Sequence, residues 1–170
     1  MAAGHRIGVV GAQVTIVEFA DFECPACRTF ATRSMKAIRA TYPTDVAMVF
    51  RHWPLEYHRF AYPAARAAEC AGEQGRFVQY HDLLYAQQDS LGLKTFEALA
   101  GEAGVPNAQE FSKCVARRDS VPAIQRDVRA VLALRGTGTP TVVINGLHYT
   151  AVPDSASLDS IVRSLIHRRM

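Results

Sequence analysis

The sequence lacks any run of about 18 consecutive apolar residues, the length that a membrane-spanning helix needs. Its first six residues, MAAGHR, also lack the apolar core of a secretory signal peptide. These two absences leave two interpretations open. The chain is either the mature region of an extracytoplasmic protein or a cytoplasmic protein.

The chain also lacks a large net charge, since its positive and negative residues nearly balance at a net charge of +3. No lysine-rich block and no stripe of alternating basic and aromatic residues occurs in the chain. Those features mark nucleic-acid-binding proteins. We therefore expect no nucleic-acid partner.

Cysteine is scarce, and only two of the four cysteines, Cys24 and Cys27, lie close together. Zinc ribbons usually contain two close cysteine pairs, whereas Cys70 and Cys114 stand alone. The six histidines show no metal-ligand spacing. The sequence therefore predicts no metal and no cofactor, and half of a zinc site at Cys24 and Cys27 is kept as the alternative.

What is present is a chain of 170 residues with 49% hydrophobic content, enough for one domain that carries an insertion. The run Val14–Ala20 is almost entirely apolar, which predicts a central parallel strand buried on both faces. Residues 25–42 have helical periodicity that Pro43 ends, and residues 45–52 predict a second buried strand. Strand, helix and strand together make a βαβ unit.

The pattern then changes to helices without strands, over residues 57–119. We expect helices at 62–71, 76–88 and 94–103, and a fourth that Asn107 opens with a capping box. Residues 120–170 return to a mixed pattern: a helix at 121–135 capped by Ser120, a hairpin around Asn145-Gly146, and a last helix opened by Ser155 or Ser157. The prediction is an α/β fold divided at 1–56, 57–119 and 120–170, whose middle part is an all-helical insertion.

Cys24 and Cys27 lie where the first strand gives way to the first helix. Two intervening residues let the sulfurs bond to each other, and the N–H groups and dipole at the helix start stabilise a thiolate at Cys24. Pro25 suits the first helical turn because it has no N–H to leave unpaired. This pattern predicts a thiol–disulfide redox site.

Stabilising the Cys24 thiolate needs more than the helix dipole. Lowering its pKa by about two units requires about 2.7 kcal/mol of differential stabilisation, whereas a dipole supplies at best roughly 2 kcal/mol. We expect directed N–H bonds and the Cys27 thiol to supply the remainder.

Cys70 and Cys114 are predicted to face each other within the insertion. Cys114 shares the inward face of its helix with Phe111, and Cys70 lies near the end of an alanine-rich helix that other elements can approach closely. They would form a second disulfide under oxidising conditions. The alternative is a pair of buried, inert thiols.

Five segments together resemble the DsbA-like branch of the thioredoxin superfamily. They are VTIVEF at 14–19, CPAC at 24–27, FRHWPL at 50–55, AAEC at 67–70 and GTPT at 138–141. The resemblance covers the chain from the first predicted strand to the last helix. It implies a thioredoxin fold, a central mixed β-sheet flanked by helices, with an inserted all-helical subdomain.

The resemblance also implies roles for residues that match its motifs. Cys24 would be the nucleophilic sulfur that faces the substrate, and Cys27 the buried resolving sulfur. Glu18 would be a buried acid that moves protons below the disulfide; its other interpretation is an acid near a strand end that reaches solvent. Pro140 would be a cis proline beside the cysteines.

The resemblance places substrate contacts beside these residues. Thr139 would offer backbone hydrogen bonds to a bound peptide, and Pro25 and Ala26 complete the surface that contacts it. The dipeptide Pro25-Ala26 departs from the commoner Pro-His of well-known oxidases in the family. His52 and His58 lie near the join between the domains, where we expect surface or capping roles.

The activity implied by the resemblance is a monomeric dithiol oxidase that introduces disulfides into cysteine-containing proteins. A membrane quinone-linked thiol oxidase would recycle it, in the bacterial periplasm or cell envelope. Only about a dozen residues precede the first predicted strand, whereas dimeric isomerases of the superfamily carry an extra N-terminal domain. The same residues would also serve a disulfide reductase or isomerase, and a non-catalytic thioredoxin-like or zinc-binding module is the alternative from another class.

Overall fold

The computed structural model describes residues 3–168 and has the predicted order of elements, preceded by one additional strand. The strands are β1 (His5–Ile7), β2 (Val14–Ala20), β3 (Val46–His52), β4 (Thr141–Ile144) and β5 (Leu147–Tyr149). The helices are α1 (Pro25–Thr29), α2 (Lys36–Thr41), α3 (Ala61–Glu73), α4 (Phe77–Ala86), α5 (Phe96–Glu102), α6 (Ala108–Val115), α7 (Pro122–Ala133) and α8 (Ser155–His167). The predicted thioredoxin fold with a helical insertion is confirmed.

The five strands form one mixed sheet in the order β1-β3-β2-β4-β5. The central strands β2 and β3 are parallel, with Glu18 opposite Phe50 and Ala20 opposite His52. On its other side β2 pairs with the antiparallel β4, where Glu18 lies opposite Val142. Because β2 has neighbours on both sides, its carboxyl end, which leads to Cys24, is held firmly in the sheet.

Strand β1 was not expected from the sequence. It has only three residues, and its His5 and Arg6 give no apolar alternation from which a strand could be predicted. It forms because β3 offers a free edge, and the two strands pair in antiparallel register with His5 opposite Phe50. Tertiary pairing here overrides weak local preference.

The two faces of the sheet carry cores of different size. The smaller core joins Phe19, Trp53, Val131 and Val143 under α7. Buried Asp127 fixes this helix to β3, since its carboxylate accepts hydrogen bonds from the Arg51 guanidinium at 2.9 Å and the His52 N–H at 3.0 Å. The larger core lies on the opposite face and continues into the insertion.

The helix that follows the cysteines is less regular than predicted. Between α1 and α2, residues Phe30–Met35 form a π-helical segment, and the run ends at Thr41. The Ser34 and Ser155 hydroxyls share a hydrogen bond of 3.0 Å, which ties this segment to the start of α8. Single π-turns of this kind often occur near functional sites.

Helices α3 to α6 form the insertion. Cys70 on α3 is bonded to Cys114 on α6, with their Cα atoms 5.8 Å apart, so the disulfide fastens the first helix of the insertion to the last. The division at residues 57 and 119 stays a prediction. No helix within residues 3–168 is both long and apolar enough to cross a membrane.

Helix starts were predicted less well than helix positions. Asn107 caps α6 as expected, by accepting a hydrogen bond from the Glu110 N–H. The caps expected at Ser120 and at Ser155 or Ser157 are wrong: Val121 precedes α7, and Asp154 caps α8. The Val121 N–H donates to the Tyr62 hydroxyl, a contact between α7 and the insertion.

Removing the Cys70–Cys114 disulfide should destabilise the fold. On the chain-entropy model, opening a loop of this sequence separation of 44 lowers the free energy of unfolding by about 4 kcal/mol. We therefore expect a Cys70→Ala, Cys114→Ala double variant to show a loss of this size in urea unfolding.

The matched control is a Cys24→Ala, Cys27→Ala double variant, which keeps the structural disulfide and should lose much less stability. A loss below about 1 kcal/mol in the first variant would contradict this role for the disulfide.

Candidate active site

Cys24 occupies the position just before α1, with extended backbone angles. Its N–H donates to the Asp21 carbonyl at 3.2 Å, and its own carbonyl accepts from the Arg28 N–H at 3.1 Å. Pro25 takes the first helical position, as expected. The Cys24 side chain therefore lies against the unpaired N–H groups of the first turn. Only 7% of the residue is exposed.

The surroundings of Cys24 favour its thiolate. The pKa of Cys24 is lowered from 9.0 to about 5, and the largest cause is a hydrogen bond from the Cys27 thiol. Burial opposes this shift, and the Thr139 side chain and the N–H groups of Cys27 and Ala26 contribute to it. At neutral pH Cys24 is therefore a thiolate.

Cys27 has the opposite character. It is fully buried, and burial raises its pKa well above the ordinary value. The hydrogen bond that it gives to Cys24 and the negative charge of Glu18 raise this pKa further. The two free thiols thus differ in kind: the pKa of Cys24 is lowered, and Cys27 keeps its proton.

Glu18 lies on β2 beneath the cysteines and is fully buried. The interpretation that it reaches solvent is therefore wrong. Neither carboxylate oxygen has a hydrogen-bond partner within residues 3–168. Burial raises the pKa of Glu18 well above its ordinary value, and the negative charge of Cys24 raises it further, so both favour the protonated, neutral form of this acid.

Thr139 and Pro140 lie beside Cys24, although 115 residues separate Thr139 from it in the chain. The peptide bond between them is cis. The Cys24 Sγ lies 3.4 Å from the Thr139 carbonyl, which accepts a hydrogen bond from the thiol form. The buried Thr139 hydroxyl has no hydrogen-bond partner in the described part of the chain.

Pro25 and Ala26 are exposed, next to the mostly buried Cys24. The structure thus brings together all seven residues that the motifs single out around the CPAC segment and the Thr139-Pro140 bond, whereas Cys70 and Cys114 lie in the insertion, on α3 and α6.

The sequence analysis missed Gln88, which joins the insertion to the active site. It lies in a single 3₁₀ turn after α4 and is buried. Its amide donates hydrogen bonds to the Phe22 carbonyl at 2.7 Å and the Cys24 carbonyl at 3.0 Å. Next to it, Asp89 forms an ion pair with Arg28 at 2.9 Å. No motif marks a lone glutamine, so only the structure identifies this contact.

Buried Asp21 organises the loop before Cys24. Its carboxylate accepts hydrogen bonds from the Glu23 N–H at 2.7 Å, the Leu55 N–H at 2.9 Å and the His58 ring at 2.8 Å. The expected capping role fits His58, which ties the 52–61 connection to this loop. The expected surface role is wrong for His52, which is fully buried.

Comparison with protein families gives one match that covers almost the whole chain. The family model described as Thioredoxin matches residues 2–164. The Na(+)/H(+) antiporter NhaA 3 of Salinispora tropica is 37% identical over 161 residues, which are 94% of this chain and 24% of the antiporter. The chain thus spans about a quarter of the length of the curated relatives that it matches.

Solved structures match over nearly their full length. DsbA2 of Pseudomonas aeruginosa is 29% identical with a TM-score of 0.75, and the match covers 97% of this chain and 95% of that one. Oxidised BdbD of Bacillus subtilis has a TM-score of 0.84 at 19% identity, with 95% and 92% coverage. The BdbD likeness concerns the fold alone.

The reduced protein should have one rapidly alkylated thiol. Since the pKa of Cys24 is about 5, the rate of its reaction with iodoacetamide should rise through pH 5 and become constant above about pH 7. Mass mapping should find the label on Cys24, with Cys27 unreacted. A midpoint near pH 8.5, the value for a free cysteine, or first reaction at Cys27 would contradict the assignment.

Replacing Glu18 with glutamine should stabilise the protein increasingly as pH rises. The folded pKa of Glu18 lies above its unfolded pKa. At pH values between these two, the folded state binds a proton that the unfolded state has lost. The free energy of unfolding of the parent therefore falls as pH rises through this window, by at most about 1.4 kcal/mol per pH unit. A Glu18→Gln variant has no such loss.

The measurement is urea unfolding from pH 4 to 8 of the oxidised protein, in which neither active-site thiol titrates. Glu56→Gln, at an exposed position, is the matched control and should follow the parent. Parallel curves for the parent and Glu18→Gln would mean that Glu18 is not held as a neutral acid.

Proposed function

The chain belongs to the DsbA-like oxidoreductases of the thioredoxin superfamily, and from this premise we propose that it is a dithiol oxidase which introduces disulfides into other proteins. The observation that carries the proposal is the contrast between Cys24, with a pKa of about 5, and Cys27, whose pKa is raised. A stabilised Cys24 thiolate stabilises the reduced enzyme, and this makes the Cys24–Cys27 disulfide a stronger oxidant.

The first step is attack on Cys24. A substrate thiolate attacks the Cys24 sulfur, a bond forms between these two sulfurs, and the Cys24–Cys27 bond breaks with its electron pair going to Cys27. The exposed Pro25 and Ala26 leave the approach to Cys24 open, and the Thr139 backbone lies beside it for pairing with an extended substrate peptide.

The second step releases the product. Another substrate thiolate attacks the substrate sulfur of the mixed disulfide, and Cys24 leaves as a thiolate. The substrate loses two electrons and gains a disulfide, and the enzyme becomes a dithiol. Cys24 is a good leaving group because the Cys27 thiol and Thr139 stabilise its negative charge.

Glu18 exchanges a proton with Cys27 in this proposal. When Cys27 leaves in the first step, its thiolate is buried and strongly disfavoured, so it must take up a proton. The pKa of Glu18 is raised, which favours its protonated form, and its ionised form is close enough to raise the Cys27 pKa. We assign it the role of proton donor to Cys27 in this step and proton acceptor on reoxidation.

The proposed chemistry also indicates the substrates, the recycling partner and the compartment. The substrates are proteins with pairs of reduced cysteines, and the monomer is reoxidised by a membrane thiol oxidase that passes electrons to a quinone. The Cys70–Cys114 disulfide supports an extracytoplasmic site of action, the bacterial periplasm or cell envelope, because structural disulfides persist in oxidising compartments.

A second proposed function is a role beside a membrane transporter, because the curated relatives are named as Na(+)/H(+) antiporters. The chain is 37% identical to a quarter of a protein named as a Na(+)/H(+) antiporter. In that setting we propose the same dithiol chemistry, acting on cysteines next to a transport domain.

The reduction potential of the Cys24–Cys27 couple tests the direction of use. Equilibrium titration against glutathione should give a value nearer to about −120 mV, the potential of a strong oxidant, than to about −270 mV, the potential of thioredoxin. The oxidised protein should then oxidise a reduced two-disulfide substrate, and a Cys24→Ser variant should not.

The Cys70→Ala, Cys114→Ala variant is the matched control, since it should retain the oxidase activity. A potential near about −270 mV without oxidase activity would overturn this proposal in favour of a reductase. Activity that survives in Cys24→Ser would instead favour a thioredoxin-like module that does not act through this couple.

A further inference from the structure

The fold brings together three side chains that can bind a metal ion, although their sequence positions give no hint of it. His5 lies on β1, His52 ends β3 and Glu69 lies on α3. Their ligand atoms all lie within 4.8 Å of one another. One oxygen of Glu69, Oε1, lies 2.6 Å from His5 Nε2 and 2.8 Å from His52 Nε2. No residue of this cluster takes part in the cysteine chemistry.

The ligand set suits zinc. Two imidazole nitrogens and one carboxylate oxygen, with a fourth position left to water, are a recurrent zinc set. Ligands at about 2.0–2.1 Å from a tetrahedral zinc ion lie roughly 3.3 Å apart. The two contacts of Glu69 Oε1, with His5 and His52, would therefore have to lengthen by about 0.5 to 0.7 Å.

The two rings are held in place by neighbours. His52 is fully buried among aromatic side chains, with its ring 5.1 Å from that of Phe50 in an edge-on arrangement. Its Nδ1 has no hydrogen-bond partner within the residues described, so Nε2, which faces the cluster, is the one ring nitrogen that is engaged there. His5 stacks on Phe77 with a centroid distance of 3.4 Å and an angle of 4°.

A glycine makes room for His5. Gly72 is one turn beyond Glu69 on α3, and a Cβ at this position would lie 3.3 Å from the His5 ring carbon Cε1, which is tighter than most such contacts. The helix therefore approaches the His5 ring as closely as it does because residue 72 has no side chain.

The cluster is open to solvent on one side. His5 and Glu69 keep 27% and 18% of their side chains exposed, whereas His52 is at the closed end. An ion can enter from the exposed side, and a water molecule can occupy the fourth position there.

We propose that His5, His52 and Glu69 bind one zinc ion, which links β1, the end of β3 and the first helix of the insertion. The ion fastens the edge strand and the sheet to α3, whose disulfide in turn fastens α6.

Zinc titration of the oxidised, tag-free protein tests the proposal. The Cys24–Cys27 disulfide must be closed, because a free dithiol would itself bind zinc. We expect one zinc ion per chain, measured by competition with a chromophoric chelator. The affinity should fall at least tenfold in His5→Gln and in Glu69→Gln.

Two matched controls separate ligands from neighbouring groups. Glu73→Gln changes the next carboxylate along α3, and His167→Gln changes an exposed histidine near the C-terminus. Both should bind zinc within twofold of the parent. Zinc should also raise the melting temperature of the parent and the controls, and leave that of Glu69→Gln unchanged.

Two outcomes would overturn the proposal. One is that the oxidised parent binds no zinc, and the other is that Glu69→Gln binds it as tightly as the parent. Either would show that the three side chains form only a hydrogen-bonded cluster. Circular dichroism of each variant, compared with the parent, ensures that lost binding is not lost folding.

Discussion

The site depends on one hydrogen bond, the one that the Cys27 thiol donates to the Cys24 sulfur. It is the largest contribution to the low pKa of Cys24, and it also raises the pKa of Cys27. One interaction therefore separates two cysteines of the same motif into a thiolate and a thiol. Burial enforces the difference because Cys27 is fully enclosed, whereas Cys24 keeps a small exposed area at the helix start.

The rest of the fold holds these two sulfurs in position relative to the groups that surround them. Three separate elements hold the loop and helix start: Asp21 fastens the loop before Cys24 to residues 55–58, Gln88 of the insertion holds the Cys24 carbonyl, and Thr139 closes the site from the far end of the chain. The insertion is thus part of the active-site support. A change at Gln88 would act on Cys24 through its backbone.

Local patterns in the sequence were enough to predict the order of elements. The apolar run before Cys24, the cysteine spacing and the Asn145-Gly146 turn each encode their structure within a few residues, and the structure has all three. Features set by distant contacts were not predictable in this way. Strand β1 exists only because β3 offers an edge.

The residues of the site also fall into those that local sequence patterns predict and those that depend on distant contacts. Cys24 and Cys27 were evident from their spacing and from the strand that precedes them. The burial of Glu18 and His52 depends on how β2 and β3 pair, and no local pattern reports it. The gathering of His5, His52 and Glu69 depends on three elements that are far apart in the chain.

The most direct test of this account is the pKa of Cys24 in a Cys27→Ala variant, read from thiolate absorbance in the ultraviolet as pH is raised. Without the thiol donor, the account predicts that this pKa rises by more than one unit from the parent value of about 5. The N–H groups of the first helical turn and the Thr139 side chain should still hold it below the value of a free cysteine. A pKa that stays at about 5 in Cys27→Ala would contradict the account, because the hydrogen bond from Cys27 would then not be what stabilises the thiolate.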